Sequence, residues 1–143
     1  FLNTFVMFFA KLHPLLVHFP MALLFSGTLF QLFGRLQQES VTLEAGAFNI
    51  RFGFWTAPIV MIIGGLALPS IRAEGLAENF LNSHIQYAFL TILVFSIYLA
   101  VHRYRGKWWA DIIHYLSLVT GLVLIFLTGF YGGELVHRFG LPN

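Results

Sequence analysis

Long apolar segments alternate with short polar ones along the chain. Four of the apolar segments cover about residues 15–33, 48–68, 84–101 and 110–131, and each approaches the roughly 20 mainly apolar residues that a membrane-spanning helix needs. The connection between the third and fourth segments is only Arg103–Trp109, so these two helices must be antiparallel neighbours. The pattern therefore predicts an all-α integral membrane protein, an up-down-up-down four-helix bundle, with residues 1–143 as a single transmembrane domain.

The first twelve residues are also mainly apolar, but they include Lys11 and are followed directly by His13–Pro14. Proline interrupts a helix or begins one, so we expect a break in this region. We predict that the N-terminal segment is an interfacial helix leading into the first span. Two alternatives are that it lengthens the first span or that it ends a span lying upstream. No internal repeat is evident in the sequence.

The composition narrows the class of protein. Hydrophobic residues make up 58% of the chain and charged residues 10%, with a mean hydropathy of +0.79, whereas a soluble domain has roughly 25% charged residues. A soluble globular domain is thereby excluded. The lack of cysteine excludes disulfides, thiolate metal sites, iron–sulfur clusters and haem attached at C-x-x-C-H. The scattered net charge of +2 gives no basis for nucleic-acid binding, and membrane lipids are the expected surroundings.

Positive charges predict the orientation of the bundle. We call side A the end that holds the N-terminus, the connection between the second and third spans, and the C-terminus; side B is the opposite end. Side A carries Lys11, Arg72 and Arg138. Side B carries more basic residues, namely Arg35, Arg51, Arg103, Arg105 and Lys107. Short loops rich in Lys and Arg remain in the cytoplasm. We therefore expect a multi-pass protein of a bacterial inner membrane with both termini in the periplasm.

Six histidines are unusual in such an apolar chain, because polar groups at membrane depth are costly and commonly functional. At side A, His18 and His84 lie at similar depth on different spans and are predicted to face one another, whereas His13 is expected to be too shallow to join them. Two imidazoles on facing helices suit the axial coordination of a b-type haem. Glycines on the second and fourth spans would leave room for the porphyrin; these are Gly64, Gly65, Gly129 and Gly132.

Each of these residues also has a purely structural interpretation. Glycines in membrane helices allow close helix packing, and histidines bond to neighbouring polar groups. At side B, His102 and His114 suit either a second haem or the basic membrane interface. Glu134 and His137 form an E-x-x-H pair, which with His13 is a further candidate for a single metal ion.

The segment LHPLLVHFPMAL, residues 12–23, resembles the opening of an uncharacterised bacterial family of small four-helix predicted membrane proteins. Members also carry a histidine at the start of the third span, as His84 does here, and end in GG-x-LV followed by a basic residue and glycine, as residues 132–140 do. In that family the block often precedes periplasmic c-type cytochrome modules. The resemblance therefore implies a redox or haem-linked role in the membrane.

The sequence thus favours an electron-transfer subunit over an enzyme acting by itself. In this interpretation one b-type haem near side A passes electrons between quinol, or a larger membrane complex, and a periplasmic c-type cytochrome. The first alternative is a non-catalytic accessory subunit of a large respiratory or photosynthetic complex. The second is a quinone or metal site without haem.

Overall fold

The computed structural model describes residues 2–141, with the backbone alone for Leu2 and Asn3. Helices make up nearly all of this part, which contains no strand. They are α1 (Leu2–Leu16), α2 (His18–Gln37), α3 (Ser40–Ala67), α4 (Leu76–His102) and α5 (Trp108–His137), and a 3-10 turn at Leu68–Ser70 follows α3. The predicted fold class is confirmed: four helical segments of the described chain are long and apolar enough to cross a membrane.

A single turn at Val17 separates α1 from α2. Pro20 lies three residues beyond this turn, has no N–H to donate to the carbonyl of Leu16, and places its ring against that carbonyl. A regular helix is therefore unfavourable here. Apart from this break the two helices follow one another, and Thr4–Gln37 form one candidate span. This arrangement corresponds to the alternative in which the N-terminal segment lengthens the first span.

The helices pair into two antiparallel hairpins, α2 with α3 and α4 with α5, while α1 packs against α3. In the first hairpin α2 and α3 cross closely at Gly27 and Gly46. A Cβ built on Gly27 would lie 2.8 Å from the backbone nitrogen of Ile50 and 2.9 Å from the carbonyl oxygen of Gly46. Only glycine fits a backbone approach this close, which is the small-residue packing typical of membrane helices.

A small core joins the hairpins. Its buried side chains are Leu24, Ile50, Phe95, Tyr98, Leu118 and Ile125. Outside this core the helices expose large apolar side chains, and only 17–33% of the most apolar window of each candidate span is buried. Helices that are apolar on their outer as well as their inner faces are typical of membrane spans. The outer surface of the bundle is thus suited to lipid.

The two hairpins repeat one arrangement of residues. Leu24 on α2 and Phe95 on α4 are 71 positions apart, and each lies against a glycine of its partner helix. Those glycines, Gly53 and Gly121, are 68 positions apart. Adding 71 to a residue number in α1–α2 gives the equivalent residue of α4, and adding 68 to a residue number in α3 gives the equivalent residue of α5. In this sense α1–α2 corresponds to α4, and α3 corresponds to α5. The repeat lies in burial and contact rather than in residue type, which is why none is evident in the sequence.

Few residues are identical between the hairpins. When residues 10–31 are set against 81–102, the identical pair is His13 with His84. When residues 40–69 are set against 108–137, the identical pairs are Gly53 with Gly121, Gly64 with Gly132, and Gly65 with Gly133. The identities are thus restricted to one histidine and three glycines.

The repeat is parallel, because both hairpins run from side A to side B and back. The contacts between hairpins agree with an exchange about a twofold axis along the bundle: α2 packs against α5, and its equivalent α4 packs against α3. A residue that contacts its own equivalent must lie close to such an axis. This criterion locates the candidate site.

Candidate functional site

His13, in the last turn of α1, lies on the surface of α3. A Cβ built on Gly64 would be 2.7 Å from Cε1 of the His13 ring, so the ring occupies the space that this glycine leaves open. Nδ1 of His13 donates to the carbonyl oxygen of Val60 at 3.0 Å. A carbonyl only accepts hydrogen bonds, so this bond assigns the proton to Nδ1 and the lone pair to Nε2.

His84, in the third turn of α4, repeats this arrangement on α5. A Cβ built on Gly132 would be 2.9 Å from Cε1 of the His84 ring. Nδ1 of His84 donates to the carbonyl oxygen of Thr128 at 3.0 Å, and this carbonyl stands four residues before the glycine, as that of Val60 does. The hydrogen bond again leaves Nε2 with its lone pair.

The two histidines face one another at the interface between the hairpins. Their ring centroids are 6.3 Å apart and their planes are inclined by 79°. Since His13 and His84 are equivalent residues, this contact places both rings next to the twofold axis. Within the described residues neither Nε2 has a hydrogen-bond partner. The site therefore presents two half-buried imidazoles of the same tautomer at side A.

The structure places His13, and not His18, opposite His84. His18 is the first residue of α2 and its side chain is exposed. Because His13 turns inward onto Gly64, and five residues of helix rotate the chain by about 140°, His18 points away from the interface. The predicted facing pair is corrected accordingly. The signal that identifies His13 is its equivalence with His84, together with the matching glycines Gly64 and Gly132.

The four glycines predicted to give clearance have different surroundings. Gly64 and Gly132 each accommodate a histidine ring. Gly129 faces α2, where a Cβ would meet the terminal methyl group of Met21 at 3.0 Å. A Cβ on Gly65 would meet no neighbouring atom within 4 Å. Two of the four thus shape the histidine pair directly, and Gly65 borders open space beside it.

Aromatic side chains lie next to His84, between α4 and α5, at the side A end of the bundle. The rings of Tyr87 and Tyr131 stack at 5.3 Å between centroids with an angle of 23°. Phe80 packs on Tyr131 at 5.2 Å and on Phe139 at 5.4 Å. These rings form an apolar wall between α4 and α5 at this end of the bundle.

The side B histidines belong to a separate polar cluster around Arg105. The guanidinium group of Arg105 donates to Asp111 at 2.7 Å, to Nε2 of His114 at 2.8 Å and to the hydroxyl of Tyr115 at 3.2 Å. His114 is fully buried, and the ring of His102 lies 5.6 Å from it, with the planes inclined by 33°. Arg105 already engages one nitrogen of His114, and the other lies within a fully buried residue. We therefore do not propose a second haem at side B.

The E-x-x-H pair does not converge with His13. Glu134 forms an ion pair with Arg138 at 3.4 Å, and His137 is exposed at the last residue of α5. In the described part of the chain no group of three or more histidine, aspartate or glutamate side chains is placed to hold a metal ion. The acidic residue of the pair is thus engaged by a neighbour one turn away.

These features define a class: a four-helix integral membrane protein made of two equivalent hairpins, with one histidine of each facing the other between them. The family model "Predicted membrane protein (DUF2231)" matches residues 10–143, a range that includes both hairpins and both histidines. The chain belongs to this family. No curated protein and no solved structure matches the chain.

Proposed function

We propose that the side A end of the bundle binds one b-type haem between His13 and His84, and that the protein is an electron-transfer subunit of a bacterial inner membrane. The observation that carries this proposal is the matched pair of imidazoles. Each is held by a backbone carbonyl at Nδ1, and neither Nε2 has a hydrogen-bond partner among the residues that the structure describes. Histidines that bind metals almost always donate their other N–H to a carbonyl, carboxylate or water, because this bond fixes the tautomer and the ring orientation.

The separation of the rings agrees with axial coordination. Metal–imidazole nitrogen bonds are about 2.0–2.1 Å long, so two imidazoles on opposite sides of one metal ion have ring centroids about 6 Å apart. The observed separation is 6.3 Å. His13 and His84, which are equivalent residues next to the twofold axis, would hold the haem with two imidazoles of the same tautomer.

The helices that carry the two rings are not packed tightly against one another. The helices that carry the rings, α1 and α4, pack chiefly against α3 and α5 rather than against one another. Gly65 and Gly133 stand next to the glycines that bear the rings, and a Cβ built on either would have no neighbour within 4 Å. The surroundings are apolar and aromatic, which suits a macrocycle with polar groups restricted to its edge.

A bound haem would supply one-electron transfer. The protein's own contribution is to hold the two imidazoles through the carbonyls of Val60 and Thr128, to keep water from them with apolar helices, and to place them near one face of the membrane. We assign side A to the periplasm on the strength of the basic residues at side B. On this proposal the protein exchanges electrons with quinol or a larger membrane complex, and with a periplasmic c-type cytochrome.

The test is an absorption spectrum of the purified full chain, with the pyridine haemochrome assay for haem type. We expect a six-coordinate b-type spectrum. His13→Ala and His84→Ala should each abolish it or leave a five-coordinate haem that binds carbon monoxide. His18→Ala is the matched control, because His18 lies five residues from His13 and is exposed, and it should leave the spectrum unchanged.

Two results would contradict the proposal. If the wild-type chain binds no haem even after reconstitution with haemin, the accessory-subunit interpretation takes its place. If His18→Ala removes the spectrum while His13→Ala retains it, the haem is held by the pair predicted from the sequence, and the arrangement on Gly64 has another purpose.

A further inference from the structure

A second, unrelated cavity opens at side B. It lies among α2, α3, α4 and the connection that follows α4, and has a volume of about 400 Å³, within the range of small-molecule sites. Its polar and aromatic lining consists of Gln31, Glu44, Phe48, Arg51, His102 and Arg105. This cavity shares no residue with the histidine pair at side A.

Three buried polar atoms next to this cavity have no hydrogen-bond partner within the described residues. They are the hydroxyl oxygen of Tyr98 and the Nδ1 atoms of His102 and His114. Tyr98 is 1% exposed and His114 is fully buried. The Tyr98 ring centroid lies 4.5 Å from that of His114 and 5.9 Å from that of His102, which lines the cavity. Buried polar groups are nearly always paired, so the unpaired Nδ1 of His102, which belongs to a residue that lines the cavity, points to a ligand there.

The side chains of this cluster offer mainly hydrogen-bond donors. A guanidinium group only donates, so the bond from Arg105 to Nε2 of His114 puts the proton of that imidazole on Nδ1. His114 is thus a buried N–H donor without an acceptor. The Tyr98 hydroxyl and the Arg51 guanidinium group add further donors. A ligand that matches them must accept hydrogen bonds.

The site as a whole carries no net charge. Two guanidinium groups, those of Arg51 and Arg105, are accompanied by the carboxylates of Glu44 and Asp111, and Asp111 pairs with Arg105 at 2.7 Å. A site for a phosphate or a carboxylate would be expected to carry excess positive charge. Balanced charge with unpaired donors, beside the Phe48 ring and an apolar wall, favours a neutral ring that bears carbonyl oxygens.

The unpaired groups of this cluster are specific to the second hairpin. Tyr98 and His114 are equivalent to Gly27 and Gly46 in the first hairpin, where the two backbones meet directly. Gln31, the buried polar residue equivalent to His102, donates to the carbonyl oxygen of Leu43, whereas Tyr98, His102 and His114 each keep an atom without a partner in the described residues.

We propose that the side B cavity binds the headgroup of a membrane quinone. A quinone carbonyl accepts hydrogen bonds from His102 and Arg51, the Phe48 side chain lies against the ring, and the isoprenoid tail extends into lipid. This inference extends the proposed function by giving its quinol partner a position. Binding at side B does not require haem at side A, so the two proposals can fail separately.

The experiment measures binding of decylubiquinone to the full chain in neutral phosphatidylcholine nanodiscs. Quenching of tryptophan fluorescence gives the signal, since Trp55 stands one helical turn beyond Arg51, and empty nanodiscs correct for partition of the quinone into lipid. We expect saturable binding. Arg51→Gln and His102→Phe should each weaken it about tenfold, the effect of losing one hydrogen bond to the ligand.

Matched controls are available on the same chain. Arg35→Gln removes an exposed side B arginine that does not line the cavity, and it should leave the affinity within twofold of the wild type. His13→Ala should also retain quinone binding, even though it is expected to lose the six-coordinate haem spectrum. Arg51→Gln changes an exposed residue, so it remains informative if His102→Phe fails to fold.

Several outcomes would overturn the assignment. They are binding that does not saturate, equal affinity in Arg51→Gln and Arg35→Gln, or loss of quinone binding in a folded His13→Ala protein. Saturable binding of short-chain phosphatidylglycerol without binding of decylubiquinone would identify the cavity as a phospholipid site instead.

Discussion

At side A the equivalent residues His13 and His84 are the same amino acid in the same contact, whereas at side B the equivalent residues Gly27 and Tyr98 differ greatly in size and chemistry. The first end is symmetric down to the hydrogen bonds of the imidazoles. At the second end, one hairpin brings two backbones together, and the other inserts a tyrosine and a buried histidine between them.

The comparison distinguishes residues that helix packing requires from residues that a ligand would require. At the glycine crossing the first hairpin packs backbone against backbone, and its buried Gln31 is paired with the carbonyl oxygen of Leu43. Packing of this kind does not account for the unpaired atoms of Tyr98 and His114 in the second hairpin. At side A the same histidine occurs in both hairpins, on a glycine, at the axis. A symmetric pair suits a ligand that is itself close to symmetric, whereas the asymmetric side B cluster suits a ligand without twofold symmetry.

The largest expected effect concerns which end faces the cytoplasm. The chain has no cysteine, so single cysteines can be placed at Glu74, exposed in the side A connection, and at Tyr104, exposed in the side B connection. We expect a membrane-impermeant maleimide to label Glu74→Cys in intact cells, and Tyr104→Cys only after permeabilisation, because basic loops remain inside. The opposite labelling would place the histidine pair at the cytoplasmic face.

A second test breaks the glycine crossing of the first hairpin. In Gly27→Leu the new Cβ would lie 2.8 Å from the Ile50 backbone nitrogen and 2.9 Å from the Gly46 carbonyl oxygen, and backbone atoms cannot move aside without separating the helices. We expect the free energy of unfolding in mixed micelles to fall by more than about 3 kcal/mol.

Gly65→Leu is the control for that experiment, because a Cβ at Gly65 meets nothing within 4 Å. Its free energy of unfolding should stay within about 0.5 kcal/mol of the wild type. Equal losses in the two variants would show that the crossing has no special role, and that glycine at position 27 is not needed for packing.

A third test asks whether His13 and His84 depend in the same way on the glycines beneath their rings. Gly64→Ala and Gly132→Ala place a Cβ 2.7 Å and 2.9 Å from the His13 and His84 rings, so each ring must move and lose its bond to a carbonyl. We expect each variant to lose about 1–3 kcal/mol of the free energy of unfolding and to weaken haem retention to a similar degree.

The neighbouring glycines provide matched controls for this pair. Gly65→Ala and Gly133→Ala meet no atom within 4 Å, and both should behave as the wild type. A large effect of Gly64→Ala with none of Gly132→Ala would mean that the two histidines share a backbone setting without sharing a function.

Hydropathy predicts the number and order of the spans, but not the full extent of the helices. The predicted first and third spans, 15–33 and 84–101, lie within the longer helical segments Thr4–Gln37 and Leu76–His102. The reason is physical. Hydropathy identifies the part of a helix that lies in hydrocarbon, about 30 Å thick, whereas these helices continue beyond that part.

The choice between His13 and His18 was beyond a single sequence. Regular helix geometry separates the two by about 140° but does not say which one turns inward, since that depends on the break at Val17 and on the space above Gly64. The repeat was hidden for a related reason. The spacing from histidine to its carbonyl acceptor is 47 residues in the first hairpin and 44 in the second, and the equivalent core residues differ in type.

The smallest expected effect tests whether the side A site is limited to its symmetric residues. Glu134 and His137 are equivalent to Leu66 and Pro69 in the first hairpin, so nothing matches them across the axis. Glu134 pairs with Arg138 at 3.4 Å, with side-chain exposures of 30% and 55%, and partly exposed helix pairs of this kind contribute about 0.3–0.5 kcal/mol. Glu134→Gln should therefore lower the free energy of unfolding by no more than about 0.5 kcal/mol, with the haem spectrum unchanged.

The exposed His137 has no partner to lose in the described residues, and His137→Ala should leave both measurements at the wild-type value. A shifted or missing spectrum in either variant would show that Glu134 or His137, which has no equivalent in the first hairpin, also takes part in the site. The twofold pair of His13 and His84 would then no longer account for the haem spectrum by itself.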